Sequence, residues 1–205
     1  MSQKKYYLSI IMVYILYLIS PLMLNLALRP GNSYFISTTI ISFLLVGIML
    51  FLSKKFDKEK SPLSIKAVIK NTFTTTIILV VVQLAINFGE KYWLHINAAS
   101  NNTNFLVHLT HQYPYYLLVI LIFTPIMEEL VFRKVMINFF NLYFKPQFGI
   151  IVSSLVFAFA HQDNLFLIYF ITGLVLGSVY NKTKDVKVTI FSHIITNIVT
   201  ILVTF

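Results

Sequence analysis

Seven apolar runs leave this 205-residue chain little choice but helices that cross a bilayer. Inside lipid, each backbone N–H and C=O needs a partner within its own segment. A helix of about 20 mostly apolar residues supplies those partners and spans the hydrocarbon. Four runs meet that length: Tyr6–Leu28, Ser33–Leu52, Ala67–Phe88 and Pro114–Phe140. Two shorter ones, Gly149–His161 and Leu165–Tyr180, are parted only by Gln162-Asp163-Asn164, and a last run covers Val188–Phe205. The expected fold class is all-α: a polytopic transmembrane helical bundle of about seven hydrophobic segments. Residues 1–205 read as a single integral membrane domain. Composition agrees, since 58% of residues are hydrophobic and only 11% charged, where a soluble domain carries about 25%.

The net charge of +9 does not point to nucleic acid, because the basic residues lie in short links between apolar runs. There they act as topology signals and attract anionic membrane lipids. If odd-numbered spans exit, 13 lysines fall on the cytoplasmic side, and only Arg29 and Lys91 fall outside, with Arg133 set aside. That asymmetry predicts a multi-pass protein of the cell membrane with a cytoplasmic N-terminus and an outside C-terminus. Tyr6, Tyr34, Trp93, Tyr115 and Tyr143 sit near run ends, as an interfacial belt requires. Lys4 and Lys5 precede an apolar stretch longer than a signal-peptide core, so a retained first span is expected. No cysteine is present, which excludes disulfides, thiolate ligands and a cysteine nucleophile on these residues.

Ionisable groups within such runs are costly and usually functional. Glu128, Glu129 and Arg133 lie in the fourth run. On an α-helix Glu129 and Arg133 share a face and can pair, while Glu128 is turned away by about 100 degrees. One carboxylate is then held ionised, and the other is desolvated and suited to take a proton from water. The plain alternative is an ion pair that locks helices. Phe157 and His161 likewise share a face, with Ser153 and Ser154 a turn earlier. His193 and Asn197, four apart, aim two hydrogen-bond donors at one point, as a developing oxyanion needs; a polar clamp between helices would look the same.

Gly173 and Gly177 form a small-xxx-small face suited to close packing, with no chemistry assigned. His95, His108 and His111 read as decoration of an outer loop. No serine-nucleophile elbow, P-loop, His-Glu-x-x-His or dinucleotide fingerprint occurs. Two mechanisms remain open from the residues. In one, Glu128 with His161 deprotonates a water while His193 and Asn197 hold the oxyanion. In the other, Glu128, His161 and His193 ligate a divalent metal such as zinc that activates the water.

The ordered set Glu-Glu-x-x-x-Arg, Phe-x-x-x-His and His-x-x-x-Asn on separate hydrophobic helices resembles the CPBP family. These are the CAAX prenyl-proteases and bacteriocin-processing membrane proteins, also called the Abi family. The likeness covers roughly residues 114 to 202. It implies an intramembrane glutamate-type endopeptidase acting on a membrane-associated peptide or protein. By position, Glu128 would be the water-activating carboxylate and His161 its partner. His193 and Asn197 would stabilise the oxyanion, and Glu129 and Arg133 would support the first motif. The family has also been described as metal-dependent.

Three other readings compete. Acyl transfer in lipoprotein N-terminal modification could use the same carbonyl-activating groups. A non-enzymatic bacteriocin-immunity or partner-binding membrane protein would use the motifs for packing alone. A proton-coupled transporter is the weakest, for want of an inverted repeat. Geometry poses one demand. By span order His161 should lie in the outer half of the membrane and His193 nearer the cytoplasm. Their helices can bring them level only if the fifth segment is short and recessed, or tilted. That segment, 13 residues and about 20 Å long at 1.5 Å per residue, falls short of a hydrocarbon core of about 30 Å. Either a polar turn follows His161 within the membrane, or the helix runs on.

Overall fold

The computed structural model describes residues 2–56, 63–92, 108–162 and 165–204. Trp93, His95 and the Asp163-Asn164 pair lie outside the described residues. Long helices account for the apolar runs: α1 (Gln3–Ala27), α2 (Asn32–Phe56), α3 (Ile65–Tyr92), α4 (Pro114–Phe140), α5 (Pro146–Ala160), α6 (Phe166–Thr183) and α7 (Val186–Thr204). Among the described residues, α1, α2, α3, α4 and α7 contain stretches long and apolar enough to cross a membrane; α5 is a shorter apolar helix. The protein is an all-helical, multi-pass membrane bundle.

Helix ends follow local chemistry. The Ser2 hydroxyl accepts from the Lys5 N–H at 3.4 Å and caps α1. Pro146 opens α5, where its missing N–H costs nothing. Lys184, with φ 53°, closes α6 in the left-handed region, and Asp185 then accepts from the Lys187 N–H at 3.1 Å to start α7. Prolines inside helices are compensated. Pro21 cannot donate to the Tyr17 carbonyl four residues back; the Ser20 hydroxyl does so instead at 2.9 Å.

The chain divides into two compact units. The first holds residues 1–60 and 109–131: α1, α2 and the opening turns of α4. Tyr6, Ile10 and Met49 are fully buried between α1 and α2, and the Tyr6 hydroxyl meets the Ser53 hydroxyl at 2.9 Å. At the other end Phe35 sits 4.4 Å from the Tyr113 ring, while Tyr115 donates to Asn32 Oδ1 at 2.8 Å. Tyr17 on α1 meets Thr124 on α4 at 2.5 Å, one turn before Glu128.

The second unit holds residues 61–108 and 132–205: the end of α4 and α3, α5, α6 and α7. Its tightest seam joins α5 to α6. A Cβ on Gly173 would lie 2.9 Å from the Ser154 Cβ, and one on Gly177 would lie 3.1 Å from Ile150. The small-residue face therefore packs helices, as the sequence suggested. Asn138 donates to the Tyr180 hydroxyl at 2.7 Å, and Ser153 to the Phe132 carbonyl at 2.5 Å, tying α4 to α6 and α5. Two hydroxyls pin α7 to α3. Ser192 donates to the Thr72 carbonyl at 3.2 Å and Thr200 to Gln83 Oε1 at 3.4 Å.

Candidate functional site

Helix α4 carries the acidic motif, and it is not a uniform α-helix. Val119–Phe123 and Glu129–Ile137 are wound as π-helix, on either side of an α-helical turn at Thr124–Glu128. Pro125 accounts for the first departure: it offers no N–H to the preceding turn, so the ladder there must shift. The second begins at Glu129 itself. A π turn closes i→i+5 and holds about 4.4 residues, so Arg133 falls just short of a full turn beyond Glu129 rather than just past one. The expected α spacing is corrected, yet the two stay on one side of the helix. Such π segments recur at functional sites.

Burial separates these groups from ordinary span residues. In the first unit Glu128 is 8% exposed and Glu129 fully buried; Arg133, in the second, is fully buried too. Removing three charged groups from solvent is costly unless they are paired or used.

In the second unit the motif side chains gather on one ring. Phe157 is buried on α5, with the Arg133 guanidinium carbon 4.5 Å from its centroid. The His161 ring lies 4.5 Å from it and the His193 ring 5.9 Å, both tilted edge-on. Phe132 closes the cluster at 5.3 Å. A cation held over a buried aromatic face is attracted by the ring quadrupole. Phe157 thus acts as the hub that brings both imidazoles to one level.

That contact meets the geometric demand on α5. The helix has 15 residues, ends at Ala160 and does not run on past His161, which is its C-cap. Gln162 follows with φ 49°, a left-handed conformation that is costly for a residue with a Cβ and marks an enforced stop. The short helix leaves His161 beside the Phe157 ring that also touches His193.

The tautomer of His161 follows from its partner. Nδ1 lies 2.8 Å from the Phe157 carbonyl oxygen. A carbonyl only accepts, so Nδ1 carries a proton, and of the two neutral tautomers this contact selects the one with its lone pair at Nε2. The ring is also stacked on Tyr169 from α6, centroids 3.9 Å apart and planes 24° from parallel. Tyr169 was not legible from sequence; nothing marks it among the 12 tyrosines. His193 is 5% exposed and the half-buried Asn197 follows one helical turn later on α7. Ser153 is spent on the Phe132 carbonyl and Ser154 on that of Ile150, so neither is placed as a nucleophile.

The metal alternative requires Glu128, His161 and His193 as ligands. Among the described residues no group of three or more His, Asp or Glu side chains is arranged to hold a metal ion.

Comparison with known proteins points the same way as the motifs. A model of type II CAAX prenyl endopeptidases, Rce1-like, matches residues 110–199. A Bacillus subtilis (strain 168) protein, YdiL, named provisionally as a membrane peptidase, is 33% identical over 111 residues, 53% of this chain and 45% of that protein. The membrane-embedded CAAX protease MroQ of Staphylococcus aureus (strain USA300) is 34% identical over 105 residues, 48% of this chain and 42% of that one. The matched region thus spans less than half the length of these relatives. No solved structure matches the chain significantly.

Proposed function

Because the chain belongs, through residues 110–199, to the CPBP family of CAAX-type membrane proteases, we propose that it is an intramembrane glutamate-type endopeptidase. Its substrate is a peptide bond of a membrane-associated peptide or protein. Glu128 serves as general base, with His161 as its partner through the Nε2 lone pair. Water gives a proton to this pair and its oxygen adds to the scissile carbonyl. The carbonyl π electrons move to oxygen, and His193 and Asn197 donate hydrogen bonds to the resulting oxyanion. When the intermediate collapses, the C–N bond breaks and the leaving amine takes the proton back from Glu128. Arg133 and Glu129 support the first motif, with Arg133 held on Phe157. The excess of lysines on one side of the spans supports a cytoplasmic N-terminus and an outside C-terminus.

The observation that carries this reading is the gathering of Arg133, His161 and His193 on Phe157, with the His161 Nδ1 held by the Phe157 carbonyl so that Nε2 is left for a base. Packing alone would not need a defined Nε2 lone pair. The test compares membranes carrying wild type, Glu128→Ala and His161→Ala by mass spectrometry of newly cut peptides. Both variants should insert normally and lose the cleavage products. Retained turnover in both would end the assignment.

A further inference from the structure

Helix α7 has two working faces, and the imidazole lies on only one. Phe191, Ile195 and Val199 recur every four residues and share a stripe. His193 is two positions from Phe191, about 200 degrees round the helix, on the opposite side. The apolar stripe, with Ile69, Phe73 and Ile77 of α3, lines a groove of about 680 Å³. Thr72 and Thr76 also border it, and Lys187 stands at the end where α3 and α7 both begin. Lys187 is exposed, and no other charged side chain lines the groove among the described residues.

We propose that this groove holds one acyl chain of an anionic phospholipid, with the lipid phosphate against the Lys187 ammonium. Three features select that occupant. The lining from Lys187 to Val199 covers 12 steps of α7, about 18 Å at 1.5 Å per residue. That is close to the depth of one leaflet, half of a core of about 30 Å. Apart from Thr72 and Thr76 the walls are aliphatic and aromatic, so they suit a hydrocarbon chain and offer a peptide backbone few partners. The single cation sits where a headgroup would emerge, and Asp185 beside it already accepts from the Lys187 backbone N–H. The groove backs onto the helix that carries His193, so an occupant would brace α7 without entering the cleavage site.

The test is native mass spectrometry of the full chain released from detergent with phosphatidylglycerol or phosphatidylcholine of identical acyl chains. Wild type should retain one phosphatidylglycerol in preference. Lys187→Gln should weaken that headgroup preference about fivefold, the worth of one lysine near an anionic headgroup, while Lys70→Gln leaves it unchanged. Ile195→Trp should fill the groove and remove the bound lipid of either headgroup; Ile69→Trp, at a more exposed wall, serves if that variant does not fold. Equal retention of both lipids by wild type would overturn the proposal. So would an equal effect of Lys70→Gln, undiminished lipid on both tryptophan variants, or recovery of a lipidated peptide or a second copy of the chain on this face in place of phospholipid.

Discussion

Helices α2 and α4 can both cross a bilayer, but they use their surfaces in opposite ways. The apolar stretch of α2 is the more hydropathic and is 22% buried, whereas that of α4 is 44% buried. The buried polar groups of α2 are hydroxyls satisfied on their own backbone: Thr38 on the Tyr34 carbonyl and Ser42 on that of Thr38. Those of α4 include two carboxylates, which accept only and so find no partner in a backbone carbonyl, a guanidinium, and Asn138, which reaches across to Tyr180. Greater apolarity therefore marks the helix that faces lipid. Lower apolarity with deeper burial marks the helix that carries the acidic motif.

The largest contrast should be in activity. Glu128→Gln keeps the size of the side chain and removes the base, so turnover should fall by about 10²–10⁴, the usual worth of a positioned general base. Tyr17→Phe removes the hydroxyl that meets Thr124 in the same unit. It costs about 1 kcal/mol of stability and should leave most turnover. Product formation per mole of inserted protein measures both. Equal losses would mean that Glu128 acts only by holding helices, and the comparison would fail.

Stability separates the regions next. Phe157 is buried under Arg133 and both imidazoles, whereas Phe43 on α2 is 61% exposed beside Phe123. Phe157→Ala should cost about 3–5 kcal/mol, a large part of the total for any domain. Phe43→Ala faces lipid tails as apolar as itself and should cost under about 1 kcal/mol. Unfolding in mixed micelles by titrated denaturing detergent reads the difference. A costly Phe43→Ala would show that α2 is not turned to lipid.

Glycine sharpens the same contrast at smaller scale. A Cβ at Gly173 meets Ser154 at 2.9 Å, and one at Gly47 meets nothing within 4 Å. Gly173→Ala should destabilise by about 1–3 kcal/mol through overpacking. Gly47→Ala should be neutral or stabilise by up to about 1 kcal/mol, because alanine loses less backbone freedom in a helix. The sign of the Gly47 change, read in the same unfolding titration, is the sensitive part.

Much of this was legible in the sequence because lipid allows so few solutions. The run Pro114–Phe140 coincides with α4 at both ends, and the fifth segment is short, ending at His161, as its run length suggested. Shared faces followed from spacing, as with Phe157 and His161. What spacing could not give was the rotation of each helix against the next. The stack of Tyr169 on His161 joins α6 to α5 and depends on how closely Gly173 lets them approach. The π winding from Glu129 depends on packing across many residues, so an α-helical ruler placed Arg133 a little too far round. Arg133 on Phe157 was hidden for the same reason: residues 24 apart meet only once two helices are in register.

The smallest expected effect tests that unforeseen contact. A stacked ring pair contributes about 0.5–1.5 kcal/mol beyond its buried area, so Tyr169→Leu should lower turnover about two- to twelvefold by letting the His161 ring turn. Tyr169→Phe keeps the ring at the same 3.9 Å stacking position and should restore the rate. The Phe157 carbonyl still holds Nδ1 in both variants, so the tautomer survives and the loss stays partial. A fall in kcat with unchanged KM would place the effect on the reacting imidazole. A loss of expression shared by Leu and Phe variants would instead make Tyr169 a packing residue of the α5–α6 seam, and His161 would then owe its placement to α5 alone.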